Sequence, residues 1–271
     1  MTPSSEAAAQ PSVSPTVEAA VQAISEPRVA LVTGASSGIG AAAVRALCAQ
    51  DIVVHAAARR VDRLQSLARE TGCIAHQLDV TDAPGVQALM GQIAPIDVLV
   101  NNAGLGRGWG SLAEATYADI EVTVATNVTA AIHIVQAALP AMIERGSGHI
   151  VNVGSMAGLY PLGAALYGAT KGAMHRLSTN LRLELQGTGV RVTEICPGRI
   201  QTEFYQVAVD DEATRSAILD TGGHEVTAAE CADTILYAIN AAAHININRI
   251  ELQPTEQTYG GSQYVLRESE Q

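Results

Sequence analysis

Apolar and polar positions along this chain follow two periods that take turns. Short apolar runs at residues 29–32, 52–58, 73–78, 96–101, 148–154, 189–195 and 246–252 suit buried strands. Between them the apolar residues recur every three or four positions, as in helices with one buried face. These stretches lie from Ile39 to Leu47 and near 60–71, 82–93, 114–143, 164–187 and 227–241. In the stretch at 164–187 the stripe is Leu166, Ala169, Ala173, Leu177, Leu181 and Leu185. Such alternation predicts an α/β fold in one domain, a parallel sheet with helices on both faces. No repeat and no second domain is visible. Residues 1–27 differ in kind, being rich in Ala, Ser, Pro, Glu and Gln, with Arg28 the first basic residue. They read as a flexible N-terminal extension, with a short helix possible at 16–25 and no positive start for a targeting sequence. The domain is expected at 28–261, followed by a tail at 262–271.

The candidate chemistry begins where the first strand meets the first helix. Thr33-Gly34-Ala35-Ser36-Ser37-Gly38-Ile39-Gly40 joins them, and glycines in that setting let the backbone close on a pyrophosphate at a helix N-terminus. A second element lies on the helix at 164–187. Tyr167 and Lys171 are four apart, so phenol and ammonium are neighbours on one face. A free phenol titrates near ~10, and bringing it to ~7 takes about 4 kcal/mol. A positive charge ~4 Å away at an effective dielectric of ~20 supplies about that much. Ser155 follows the strand-like run 149–154, at the end of the sheet where such folds bind ligands. It also suits a turn cap. A hydrolase is disfavoured, because Gly154-Ser155-Met156-Ala157-Gly158 does not match a nucleophile elbow.

Charge and cysteine content narrow the class further. The net charge of −11, from 16 Lys plus Arg against 27 Asp plus Glu, argues against nucleic acid or an anionic membrane as partner. Cys48, Cys73, Cys196 and Cys231 show no paired spacing, so neither a metal site nor a disulfide framework is expected, and a cytoplasmic location is the economical inference. No apolar run approaches the ~20 residues of a membrane span.

With these motifs in place, the sequence from about Arg28 to Gly261 resembles the classical short-chain dehydrogenase/reductase family. Its glycine pattern matches Gly34, Gly38 and Gly40. Asp79 and Val80 resemble the pair that meets the adenine ring, and Asn101-Asn102-Ala103-Gly104 the motif ending the fourth strand. Asn127, Ser155, Tyr167 and Lys171 match the catalytic tetrad, and Pro197-Gly198 with Ile200 and Thr202 the segment closing over the nicotinamide. The resemblance implies a Rossmann-like, doubly wound, seven-stranded sheet. It also implies hydride transfer with Tyr167 as acid, Ser155 holding the substrate oxygen, and Lys171 binding the nicotinamide ribose. Asn127 would position a water joining Lys171 to solvent.

Arg59 and Arg60 at the end of the second strand favour NADP, since guanidinium groups suit a 2′-phosphate and Ser36 or Ser37 can add a hydroxyl. The same arginines also suit the polar start of a helix. The ending 245–261 resembles the branch of NADP-dependent 3-hydroxy acid and serine dehydrogenases, which implies a small polar substrate and an acidic one foremost. Pocket candidates are Arg107, Trp109, Tyr160, Arg199 and Tyr205; Arg199 is either an anion anchor or a partner of Glu203 or of cofactor phosphate. The family also implies a homotetramer, with residues 257–264 against a neighbouring subunit. Rival readings are a reductase of larger apolar ketones, a non-catalytic NADP sensor and an oligomeric scaffold.

Overall fold

The computed structural model describes residues 27–93, 95–261 and 263–266. Most of the N-terminal extension, including the possible helix at 16–25, therefore lies outside the described residues.

The first strand sets the plan. In β1 (Val29–Thr33) Ala30 and Val32 face one side of the sheet and Leu31 the other, as the two-residue period of a strand requires. The remaining strands are β2 (Val53–Ala58), β3 (Ile74–Gln77), β4 (Val98–Asn101), β5 (Gly148–Val153), β6 (Val190–Pro197) and β9 (Arg249–Leu252). They pair in the order β3-β2-β1-β4-β5-β6-β9, with every neighbour parallel. On one face lie α1 (Gly38–Cys48), α2 (Val61–Thr71) and α8 (Ala228–Ile239). Their Val44, Leu47, Leu64, Ile235 and Ile239 meet Val54, Val100, Val151 and Ile195. On the other face α3 (Ala83–Gln92), α4 (Tyr117–Arg145) and α5 (Ala165–Glu184) bring Leu89, Ile134, Met142 and Leu181 against Leu31, Leu99, Ile150 and Val192. The seven-stranded, Rossmann-like architecture is thus observed.

Two features differ from the sequence expectation. Helix α4 is 29 residues long and its most apolar 18-residue window has mean hydropathy 1.5, so by length and composition alone it could cross a membrane, although no apolar run of that length was expected. Polar Thr126, Asn127 and Thr129 break its apolar sequence into pieces, and Ala130, Ile134, Val135, Ala138 and Met142 are spent on the sheet. Within it, residues Ala125–Ala130 form a π-helical stretch. Between β6 and α8 the chain makes a flap, absent from the periodic pattern because its helices are short. It holds α6 (Phe204–Ala208) and α7 (Glu212–Leu219), and its two ends are joined by a small parallel pair, β7 (Ile200–Gln201) with β8 (Val226–Thr227). The tail turns back on the same chain, where Gln257 pairs antiparallel with Tyr264.

Ile150 sits in central strand β5 with no exposed surface. Ile150→Ala should lower stability by about 2–5 kcal/mol, the usual loss when a large buried side chain leaves a cavity. Urea unfolding should show a lower midpoint with an unchanged slope; a loss below about 1 kcal/mol would contradict the core assignment.

Candidate active site

Strand β5 delivers the first reactive group. Just past its end, Ser155 caps a short 3₁₀ turn, Met156–Gly158, by accepting a hydrogen bond from the Ala157 amide at 3.1 Å. Its hydroxyl lies 3.5 Å from the Pro197 carbonyl. Helix α5 then packs directly onto this turn. A Cβ on Gly158 would lie 2.5 Å from the Lys171 carbonyl, so only glycine permits the approach. That closeness carries Lys171 to the end of β5, where its ammonium donates to the Val153 carbonyl at 2.9 Å. Tyr167, one helical turn earlier, has its ring centroid 5.8 Å from the Lys171 Nζ.

Asn127 reaches this group from the π-helical stretch of α4 and is fully engaged. It accepts from the Leu105 amide at 2.8 Å, donates to the Leu105 carbonyl at 2.7 Å and donates to Thr170 Oγ1 at 3.0 Å. Its side chain ties the loop after β4 to α5, and it lies behind the cavity wall, which Thr126 lines.

The electrostatics correct one expectation. Burial pushes the Lys171 ammonium down to about 8, with the Cys196 thiol and the Glu194 carboxyl opposing it. Tyr167 moves upward, not downward: burial disfavours its phenolate, the Ser155 hydroxyl offsets part of this, and Tyr205 adds to it. The spacing brought phenol and ammonium together, but a dry site penalises both charged forms. Behind Lys171, Glu194 is entirely buried and accepts from His175 Nδ1 at 2.7 Å.

The glycine loop forms the other end of the site. Gly34 has φ +65°, and a Cβ there would lie 2.9 Å from the Ala103 Cα, so the loop can nest against the end of β4 only as glycine. Thr33 Oγ1 accepts from the amides of Asn102 and Ala103, both at 3.0 Å, which fixes that contact. Asp79 accepts from the Thr81 amide and hydroxyl at 3.0 and 2.8 Å, and lies 4.0 Å from Arg59. Arg60 donates from Nε to Ser36 at 3.0 Å and from another nitrogen to Ser37 at 2.5 Å.

One cavity of about 470 Å³ connects the two ends. Gly34, Ser36, Ser37, Gly38, Ile39, Arg59, Arg60, Asp79 and Val80 line its first half. Ala103, Gly104, Ser155, Tyr167, Lys171, Pro197, Gly198, Ile200 and Thr202 line the second. Two expected cofactor residues are outside it. Asn101 is buried, donating to the Ala131 carbonyl and to Asn152 at 3.1 and 3.2 Å, and Asn102 lines the cavity in its place. Gly40 stands behind the wall inside α1. A narrow glycine cradle with an arginine fork and two hydroxyls at one end fits a dinucleotide bearing an additional phosphate.

The candidate pocket residues divide. Trp109 packs near Tyr167, Phe204 and Tyr205 at centroid distances of 5.4, 5.7 and 5.2 Å, making an aromatic wall beside the phenol. Tyr160 lines the cavity with its hydroxyl donating to Glu251 at 2.8 Å and also bonded to Tyr259. Arg107 is not in the lining; Asp119 and Asp210 hold its guanidinium at 3.1 and 2.6 Å. Arg199 does line the cavity but is buried, donating twice to Glu225 at 2.9 and 2.6 Å and once to the Ile218 carbonyl at 2.8 Å. Its partner is thus Glu225, not Glu203. Sequence reasoning also missed Phe204, Gln257 and Met156 as lining residues. Phe204 follows the Pro197–Thr202 segment closely enough to have been suspected; Gln257 and Met156 carried no signal.

Comparison with known proteins agrees with this geometry. The short chain dehydrogenase family profile matches residues 28–213. A serine 3-dehydrogenase of Agrobacterium fabrum is 39% identical over 246 residues, covering 88% of this chain and 98% of that protein. An NADP-dependent 3-hydroxy acid dehydrogenase of Salmonella typhi is 38% identical over 243 residues, covering 86% of this chain and 97% of that protein. Among solved structures, the closed form of a serine dehydrogenase complexed with NADP+ superimposes with a TM-score of 0.81 at 37% identity, covering 89% of this chain and all of that one. From the profile, the relatives and the fold together, the chain belongs to the short-chain dehydrogenase family.

Proposed function

We propose that this NADP-dependent oxidoreductase reduces a small polar carbonyl compound, an acidic one foremost, with Tyr167 as the proton donor. The observation that carries the reading is the single cavity lined by Ser36, Ser37 and Arg60 at one end and by Ser155, Tyr167 and Lys171 at the other. NADPH supplies the hydride when bound. Arg59 and Arg60 favour the phosphorylated cofactor, and the NADP-dependent relatives support the same choice. A small hydroxy acid or its carbonyl partner is the substrate class that those relatives' names suggest.

The protein's own groups fit the reducing direction. Burial keeps the Tyr167 proton in place until a stronger base arrives. A substrate oxygen gaining electrons becomes an alkoxide, about as basic as hydroxide (water ~15.7), so proton transfer from even a raised phenol runs downhill. Ser155, whose oxygen is steadied by the Ala157 amide, can turn its own hydrogen toward that oxygen. Lys171 is close enough to the Tyr167 ring to stabilise the phenolate left behind while the amine carries its proton. With Lys171 down at about 8, that support is present at neutral pH and lost as pH rises through 8. The family resemblance assigns to Asn127 a water that joins Lys171 to solvent.

A second substrate reading has an observation of its own. Trp109, Phe204 and Tyr205, with Leu162 and Val207, give the far wall an apolar character suited to a larger ketone. Arg199 is the guanidinium in that half, already matched by Glu225. Exposed Tyr117, Val122, Val124 and Ile132 on α4, with Leu183 on α5, support assembly through these helices as a homotetramer.

Tyr167→Phe should retain NADPH binding and lose at least about 100-fold in turnover, because only the transferable proton is removed. Near-normal turnover would exclude this acid. An NADPH-oxidation screen over small carboxylated, sulfonated and apolar carbonyls should give its highest kcat/KM with the small acids; preference for bulky apolar ketones would select the second reading. Light scattering at micromolar concentration should report four chains, and a monomer would contradict the assembly.

A further inference from the structure

Glu203 opens the flap, one residue after Thr202 and directly before α6. It belongs to the far side of the cleft in sequence, yet its carboxylate reaches across to the cofactor's adenosine end. A single oxygen, Oε2, accepts from Arg60 at 3.2 Å and from Arg63 at 2.6 Å. Arg60 is the residue whose other nitrogens hold the Ser36 and Ser37 hydroxyls. All three of its guanidinium nitrogens are therefore engaged inside the protein, one of them by an anion. Hydrogen bonding to Arg63, then to Arg60, holds the Glu203 carboxyl below its ordinary range, so it is ionised at neutral pH. Other charges nearby are Arg59 and Asp79, 4.0 Å from each other.

We propose that Glu203 is an internal competitor for the cofactor's 2′-phosphate, holding Arg60 and Arg63 until NADP(H) displaces it, and so sets the affinity for the phosphorylated cofactor. The inference rests on the reading of Arg60 as a phosphate ligand. The chemistry is one of like charges on one fork. A phosphate dianion brought to Arg60 must either share it with a carboxylate, which like-charge repulsion opposes, or expel that carboxylate. NADH brings no such group and leaves the Glu203 contacts intact. The half-exposed position of all three side chains makes exchange easy, since such ion pairs are individually weak. Expulsion also reaches the reacting end. Glu203 is the residue before Phe204, whose ring lies 5.1 Å from that of Tyr167, so its release loosens the flap where it borders the phenol.

The test is a binding cycle on the full chain with wild type, Glu203→Gln, Arg60→Ala and the double variant. Calorimetry would use NADPH, NADH, and adenosine 2′,5′-bisphosphate against adenosine 5′-monophosphate. Glu203→Gln should tighten NADPH and the bisphosphate about 5-fold or more while NADH and the monophosphate change less than about 2-fold, and the gain should vanish in the Arg60→Ala background. Unchanged or weaker NADPH binding in Glu203→Gln would overturn the competition, as would an equal gain for NADH. A wild type without preference for NADPH, or an Arg60→Ala variant that keeps it, would instead overturn the phosphate reading of Arg60, and the competition with it.

Discussion

The hydrogen bond from the Lys171 ammonium to the Val153 carbonyl is the contact on which the site depends. It joins α5 to the end of β5 at 2.9 Å and leaves the amine buried. Tyr167 stands where it does because it is one turn along the same helix, and Ser155 because it is two residues beyond the accepting carbonyl. Gly158 makes the contact possible by letting the Lys171 backbone come within reach of the turn. The arrangement works against charge as well as for it. A dry position gives the amine a fixed geometry and at the same time lowers its hold on its proton. The buried Glu194 and the Cys196 thiol oppose that fall without cancelling it.

A second theme is that the arginines of this site are spent before any ligand arrives. Arg199 is committed to Glu225 and the Ile218 carbonyl, Arg107 to Asp119 and Asp210, and Arg60 to two serines and Glu203. The Arg199 pair joins residues just before β7 and β8, and so ties the two ends of the flap, a structural task that a substrate anion would have to share. In an acidic chain, carboxylates near a guanidinium are the rule, and recognition of an anion becomes a matter of exchange.

Much of this was legible in the sequence because it depends on local spacing. The strand and helix periods gave the sheet, and the order of Gly34, Ser155, Tyr167 and Lys171 along it gave the two ends of the cavity. What depended on distant partners was not legible. Glu225 lies 26 residues beyond Arg199, Glu203 lies 143 beyond Arg60, and neither separation has a pattern. Asn101 and Asn102 are adjacent, and only the depth at which β4 ends shows that the first is bonded into the core and the second faces the cavity. The direction of the Tyr167 shift was misjudged for a related reason. Spacing establishes that two groups are neighbours, whereas burial of the phenol depends on the Trp109 and Phe204 rings packed against it.

Lys171 is the sole lysine among the 271 residues of this sequence, all other fixed cations being arginine. Protein labelled at the lysine side chain therefore gives one resonance from the group at the centre of the site. Its titration by NMR in the cofactor-free protein tests the buried-amine account directly. A midpoint at about 8 is predicted, with burial as the cause. Titration in the ordinary lysine range, near ~10.4, would mean that the amine is solvated and not held against Val153, and would contradict it.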